Sequence, residues 1–179
     1  MDHKHVKDLV LAALFLALGL VLPFLTGQIP TIGKMLSPMH IAVYLCGLVC
    51  GWQYGLLVGL ICPILRSALF GIPVLYPVAI EMMFECATYG AVIGLIYHHI
   101  RHQGVWAVVL SLIIAMLAGR AVYGLAMGFL LGFGGSGFTM KMFMAGAFIN
   151  AWPGIILHLV LIPTVMVVLD KTKTVPFKR

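Results

Sequence analysis

Six long apolar segments, separated by short polar stretches, run through the chain. They cover residues 9–25, 39–51, 55–69, 76–97, 106–130 and 142–169. A helix needs about 20 apolar residues to cross a bilayer unless it is shortened or tilted. The pattern therefore predicts six transmembrane helices, of which the second and third are short and meet at Trp52-Gln53-Tyr54. The first is a predicted membrane helix and not a signal peptide, because Pro23 and a polar loop follow it without a cleavage site of small residues.

Two of the connecting segments indicate more than a simple turn. Residues 26–34 form a loop that is long for a membrane hairpin, and long loops are often functional. Residues 132–137 are rich in glycine, which accepts backbone angles that other residues avoid, so we predict a hinge there. A phosphate-binding P-loop is excluded, since no Gly-Lys-Ser/Thr follows these glycines.

The composition is that of an integral membrane protein. Of 179 residues, 63% are hydrophobic and only 9% are charged, whereas soluble domains carry about 25% charged residues. We predict an all-α fold in which residues 1–179 form one compact bundle of six transmembrane helices. The net charge of +6 does not indicate nucleic-acid binding, because most basic residues lie at the tails and in one short loop.

Lysine and arginine are distributed unevenly between the two sides of this predicted bundle. The side of both termini carries seven of them, Lys4, Lys7, Arg101, Lys171, Lys173, Lys178 and Arg179, and the opposite side carries Lys34 and Lys141. Cytoplasmic loops of membrane proteins are enriched in these residues. The bias predicts that both termini lie in the cytoplasm and that residues 27–38, 70–75 and 134–140 face outward.

Four charged side chains lie within the apolar segments or at their edges: Arg66, Glu81, Glu85 and Arg120. An ionised group near the centre of a bilayer costs roughly 2.5–3.5 kcal/mol on insertion scales, so such groups pair with one another or mark a functional site. Glu81 and Glu85 are one helical turn apart and share a face. Counted along the predicted helices, the four charges and Asn150 come to one level in the outer half of the membrane.

Two interpretations of this cluster are open. The charges form two Glu–Arg ion pairs that hold helices together, or they line a pocket in which at least one of them binds a solute. We favour the pocket, because intramembrane ion pairs without a function are uncommon. His40, Tyr76 and Tyr123 are further candidate binding residues, although a helix-start position for His40 and an interfacial position for the tyrosines explain them equally well. His158 is expected to be a satisfied histidine inside the bundle.

Metal and disulfide chemistry are not indicated. The cysteines lie in apolar runs without CxxC spacing and are predicted to be buried free thiols: Cys46, Cys50, Cys62 and Cys86. The histidines outside the apolar segments are scattered and share no rigid frame, so we expect no metal site from them.

Small residues recur at four-residue spacing in several segments. The pairs are Ala13/Ala17, Gly47/Gly51, Gly55/Gly59, Gly90/Gly94 and the series Gly124/Gly128/Gly132. Small faces let helix backbones approach closely in lipid. We assign the glycine pairs to packing within the bundle and the alanine pair to an outward surface that meets a partner.

The order of these features resembles the substrate-binding S-components of energy-coupling factor (ECF) vitamin transporters. The resemblance rests on the six-helix size, the long first outer loop and Ala13-x-x-x-Ala17. The run from Gly27-Gln28-Ile29-Pro30 to the stretch at 35–41, and Arg66-Ser67 followed by Tyr76-Pro77, are similar to the subgroup that includes pantothenate S-components.

The resemblance implies a transport role without enzyme activity in this chain. An S-component in the plasma membrane of a prokaryotic cell binds a vitamin from outside. It docks on a transmembrane coupling subunit that carries two ATP-binding subunits, topples in the membrane and releases the vitamin inward. By the same resemblance, Ala13 and Ala17 contact the coupling subunit. No cofactor is expected in this chain, and ATP belongs to the partner subunits.

Three alternatives are open. In the first, the substrate is another B-type vitamin or precursor, such as pyridoxine, hydroxymethylpyrimidine or folate. This alternative is open because two glutamates beside two arginines leave no net positive charge to select the anion pantothenate. A second alternative is a stand-alone ion-coupled transporter that uses Glu81 and Glu85, although the halves show no clear inverted repeat. The third, an intramembrane enzyme, is disfavoured because neither HExxH nor GxSxG occurs.

Overall fold

The computed structural model describes residues 3–26, 33, 35–133 and 137–177, and within them helices are the only regular secondary structure. Helix α1 (His3–Val21) continues into a 3-10 turn at Leu22–Thr26, and α2 (Pro38–Cys50) and α3 (Trp52–Phe70) follow. A π turn at Leu75–Ala79 leads into α4 (Ile80–His99), and α5 is Val105–Phe133. The short α6 (Met140–Met144), a π turn at Ala145–Ile149 and α7 (Trp152–Lys171) form the last segment.

All six predicted segments are helical, with ends that differ from the predicted ones by a few residues. Among the described residues, five stretches are long and apolar enough to cross a membrane: His5–Leu25, Trp52–Phe70, Leu75–His99, Val105–Gly132 and Met140–Lys171. Helix α2, with 13 residues, is too short for this set, as the sequence predicts for the second segment. The chain is therefore a multi-pass helical membrane protein, and the side on which its termini lie stays a prediction.

The predicted shortness of the third helix is wrong. Trp52, Gln53 and Tyr54 form the first turn of α3, which is 19 residues long, rather than a connection before it. The break between α2 and α3 is the single residue Gly51, whose φ of 96° lies in the left-handed region that favours glycine. The long loop at 27–32 and 34 and the hinge glycines at 134–136 lie outside the described residues.

Hydrogen bonds at the two ends show how the helices run. Near the termini, the Tyr54 hydroxyl at the start of α3 donates to the carbonyl of His5 in α1, at 3.5 Å. At the other end, Tyr76 before α4 donates to the carbonyl of Leu130 near the end of α5, at 2.6 Å. Helices α1 and α3 therefore run in the same direction, and α4 and α5 run in opposite directions. We call the end with Tyr54 the terminal end and the end with Tyr76 the distal end.

Glycine backbones bring α2, α3 and α4 into direct contact. A Cβ atom on Gly47 or on Gly55 would lie 2.5 Å from the carbonyl oxygen of Gly90. A Cβ on Gly94 would lie 2.6 Å from the backbone of Trp52. These distances are shorter than any real Cβ contact, so only glycine permits the helices to approach this closely. The predicted packing role is confirmed for these glycines, whereas it is wrong for Gly51 and Gly132, where a Cβ would meet no atom within 4 Å. The four cysteines are free, as predicted, and all but the half-buried Cys50 are buried.

One face of α1 is left uncovered by the rest of the bundle. Only 17% of its most apolar stretch is buried, against 50% for Leu75–His99. Ala13 and Ala17 are both exposed, and they lie among large exposed apolar residues: Leu9, Val10, Leu14, Leu18 and Val21. The alanine pair therefore lies outside the bundle's internal packing, as an outward surface requires.

We expect Gly90→Ala to destabilise the bundle, although alanine favours a helix over glycine by about 1 kcal/mol. The added methyl group would overlap the backbone of Gly55, and overpacking of this kind costs about 1–3 kcal/mol. Thermal unfolding of the detergent-purified protein, followed by circular dichroism, measures the change. Gly132→Ala is the matched control, because a Cβ there meets no atom within 4 Å. Equal midpoints for the two variants would contradict the packing role of Gly90.

Candidate functional site

An ion pair between α4 and α5 lies at the centre of the candidate site. Arg120 Nη1 donates to Glu85 Oε1 at 2.8 Å, and the Tyr89 hydroxyl donates to the same oxygen at 2.6 Å. The side chain of Glu85 is 4% exposed and that of Arg120 is 13% exposed. Glu85 and Tyr89 are one turn apart on α4, so one face of that helix supplies both groups. Charge-assisted bonds of this length are strong when they are shielded from water.

Glycine at position 119 explains how α5 comes close enough to form this pair. A Cβ on Gly119 would overlap the aromatic ring of Tyr89. Without a side chain there, the ring lies directly against α5, and the next residue, Arg120, reaches Glu85. The site depends on this small residue as much as on the charges.

Glu81 lies one turn before Glu85 on the same face of α4 and is also buried, with 4% of its surface exposed. Its carboxyl group interacts electrostatically with Glu85 and Arg120. Its Oε1 has no hydrogen-bond partner in the described part of the chain. Buried polar atoms in folded proteins are nearly always hydrogen-bonded. The Glu81 and Glu85 side chains hydrogen-bond to each other, and Glu81 Oε1 is left available to a group outside the described residues.

Two histidines and two tyrosines pack beside the ion pair. The His40 ring lies 5.2 Å from the Tyr89 ring and 6.2 Å from the His158 ring, measured between centroids. Tyr44 lies 4.9 Å from Tyr89 and 5.6 Å from His158. All four are buried. The Nε2 atoms of both histidines are without a hydrogen-bond partner among the described residues, and both rings are within electrostatic range of Arg120.

A cavity of about 270 Å³ adjoins Arg120 between α5 and the last segment. Except for Arg120 itself its lining is apolar: Ile113, Met116, Leu117, Phe148, Ile155 and Leu159. Its volume is close to the lower end of small-molecule sites, roughly 300–1,000 Å³. The space is open on one side, since Leu117 is 58% and Ile113 is 41% exposed, so Arg120 lies at the wall of an apolar groove rather than of an enclosed pocket.

Arg66 is not brought into this cluster. Its Nη1 donates to the carbonyl of Leu20 at 2.5 Å, and its guanidinium lies 5.2 Å and 5.4 Å from the ring centroids of Phe24 and Phe70. Leu20 is in the last turn of α1, where carbonyl groups lack helical partners and a cation is favourable. Of the two Glu–Arg pairs considered from the sequence, the described residues contain the one between Glu85 and Arg120.

The remaining candidate residues are spread around the distal part of the bundle. Tyr76 is 51% exposed and binds the carbonyl of Leu130. Asn150 is exposed in the turn before α7. Tyr123 stacks on Phe143 at 6.2 Å and lies within electrostatic range of Glu81 and Arg120. The structure thus brings Glu81, Glu85, Arg120 and His40 together, with Tyr123 at the margin.

Sequence reasoning missed Tyr89 as a member of the cluster, and Tyr44 and His158 as residues that pack beside it. Tyr89 lies four residues after Glu85 and eight after Glu81, and Tyr44 lies four residues after His40. That helical spacing was a visible signal, since such residues share a face. His158 was expected to be satisfied, but its Nε2 has no partner in the residues described, while its side chain interacts with the backbone of Ser37.

Comparison with known families gives the identity of this bundle. The family model "ECF transporter, substrate-specific component" matches residues 7–166. The chain belongs to this family. Comparisons with curated proteins and with solved structures found no significant match. This S-component is therefore the substrate-binding subunit of a membrane-embedded transporter that works with partner subunits, and it is not an enzyme.

We expect the Glu85–Arg120 pair to show strong coupling in a double-mutant cycle. Glu85→Gln and Arg120→Met each leave an unmatched buried group, and removing one member of such a pair costs about 3–5 kcal/mol. The double variant removes both charges, so it should be less destabilised than the sum of the two single variants. Unfolding of the detergent-purified proteins measures the three changes. Additive effects would show that the pair does not hold α4 against α5.

Proposed function

We propose that this S-component binds a small water-soluble vitamin at the Arg120 cluster, that is, at Glu81, Glu85, Arg120, His40 and Tyr89. The distal end faces the outside of a prokaryotic cell, and both termini lie in the cytoplasm. The lysine and arginine bias of the sequence supports this orientation, and helix numbering gives the depth of the cluster. Glu85 follows Tyr76 by nine residues and Arg120 precedes Leu130 by ten, so both lie about 14–15 Å from the distal end at 1.5 Å per residue.

The observation that carries this proposal is the set of unpartnered buried polar atoms around Arg120. Glu81 Oε1, His40 Nε2 and His158 Nε2 come from three different helices and lack hydrogen-bond partners within the described ranges. Polar groups inside a membrane bundle are costly, and they mark substrate sites more often than structural ones. A bound substrate with several polar groups would satisfy them, and the adjoining cavity would accept its apolar part.

The order of sequence motifs makes pantothenate the first candidate substrate. Its hydroxyl and amide groups match the unpartnered atoms, and its carboxylate would have to bind Arg120 beside Glu85. Pyridoxine, hydroxymethylpyrimidine and folate are the other candidates. All four are small polar vitamins or precursors, and they differ in charge, which is the property that the cluster discriminates best.

We expect the purified protein to bind one vitamin from a B-vitamin panel without ATP, and Arg120→Ala to weaken that binding more than tenfold. Arg120 interacts electrostatically with every other member of the cluster. Isothermal titration calorimetry on the detergent-purified protein measures both effects. Arg66→Met is the matched control, since it removes a buried arginine whose contacts lie outside the cluster. Equal affinities for wild type and Arg120→Ala would leave Arg120 with a structural role alone.

We further propose that the uncovered face of α1 docks on a transmembrane coupling subunit that carries two ATP-binding subunits. Ala13 and Ala17 are exposed on this face, and their small side chains allow another helix to approach closely. ATP is hydrolysed on the partner subunits and drives the release of the vitamin inward.

Replacement of Ala13 or Ala17 by tryptophan should abolish vitamin uptake by cells and leave binding to the purified protein unchanged. A large side chain would hold the partner helix away, whereas the cluster around Arg120 lies elsewhere in the bundle. Uptake of radiolabelled vitamin and calorimetry give the two readouts. Val160→Trp is the control, because Val160 is 64% exposed on α7. Uptake by liposomes that contain this chain alone would contradict the need for partner subunits.

A further inference from the structure

We infer that the site selects an uncharged or cationic substrate that offers hydrogen-bond donors, and that it discriminates against free carboxylates, so that uncharged candidates such as pyridoxine rank ahead of pantothenate, the first candidate from the sequence motifs. The inference rests on the proposed function, because it takes the Arg120 cluster as the place where the substrate binds. It goes further by naming the chemical class of the substrate and Glu81 as the residue that determines the specificity.

Among the described residues, the cluster holds more carboxyl groups than cations. Within the part of the chain that the structure describes, its charged members are Glu81, Glu85 and Arg120. Arg66 would have balanced the second glutamate, but it lies against Leu20 and two aromatic rings instead. With both carboxylates ionised the cluster carries one net negative charge, and with one of them protonated it is neutral.

The single cation of the cluster already has an anionic partner. Arg120 is held by Glu85 at 2.8 Å, and Tyr89 fixes Glu85 from the other side at 2.6 Å. A substrate carboxylate would have to displace Glu85, which would leave a buried carboxylate without its cation, or bind beside two existing carboxyl groups. Both arrangements are unfavourable where water is excluded, so the cluster repels anions as well as attracting other groups.

The unpartnered atoms show what the site can accept. Glu81 Oε1 accepts a hydrogen bond from a hydroxyl, an amine or a ring N–H. The Nε2 atoms of His40 and His158 each donate or accept according to the tautomer. A substrate with at least one donor for Glu81 and a second polar group for the histidines therefore completes the network. The apolar cavity beside Arg120 takes the remainder of the molecule.

Matched pairs of ligands isolate the effect of the carboxylate. Pantothenol carries a hydroxymethyl group where pantothenate carries its carboxylate, and pyridoxine differs in the same way from 4-pyridoxate. Both pairs are titrated into the purified protein and followed by calorimetry. In the pair that binds, we expect the affinity of the uncharged member to be at least tenfold higher than that of the carboxylate. Tighter binding of the carboxylate member by the wild type would overturn this inference and leave the proposed function standing.

Glu81→Gln tests the residue itself, because it replaces a carboxyl group that can ionise by an amide of the same size. We expect the preference for the uncharged member to fall at least tenfold, with a gain for the carboxylate. Asp170→Asn is the control: it makes the same carboxyl-to-amide change at the terminal end, where Asp170 accepts from the Phe177 amide. An unchanged ratio in Glu81→Gln would overturn the role of Glu81. If neither pair nor any other panel vitamin binds, the proposed function itself fails, and this inference with it.

Discussion

The bond between Glu85 and Arg120 is the contact on which the interior of this bundle depends. A carboxylate alone in the apolar core would be costly, so α4 and α5 must meet where the two charges meet. Gly119 permits that approach by leaving space for the Tyr89 ring. On a neighbouring face of α4, glycine contacts hold α2 and α3 in place, and α2 brings His40 beside the pair. Packing and charge thus determine the same arrangement.

The fold could be predicted from the sequence because bilayer thickness imposes long apolar segments, and hydropathy reveals them directly. The start of α3 was missed since the break at Gly51 needs a single residue and no polar turn. In the site, the helical spacing of Glu81 and Glu85 was enough to place both on one face. The partner of Arg66 could not be predicted, because a carbonyl group together with aromatic rings satisfies a buried cation as well as a carboxylate does.

The tyrosines show a second reason why sequence reasoning falls short. A tyrosine in a membrane helix is commonly an interfacial residue, and Tyr76 has that character, with half of its surface exposed. Tyr44 and Tyr89 are fully buried and lie against histidine rings. Which position a tyrosine takes depends on the rotation of its helix, and that rotation is set by contacts such as those of Gly55 and Gly90.

Arg66 binds the distal end of α1 through the main-chain carbonyl of Leu20 and not through the Leu20 side chain. Every amino-acid residue presents the same main-chain carbonyl whatever its side chain, so this contact tolerates substitution of Leu20. The side chain at position 20 is therefore left to serve the packing or the surface of α1, because the attachment at this point makes no use of it.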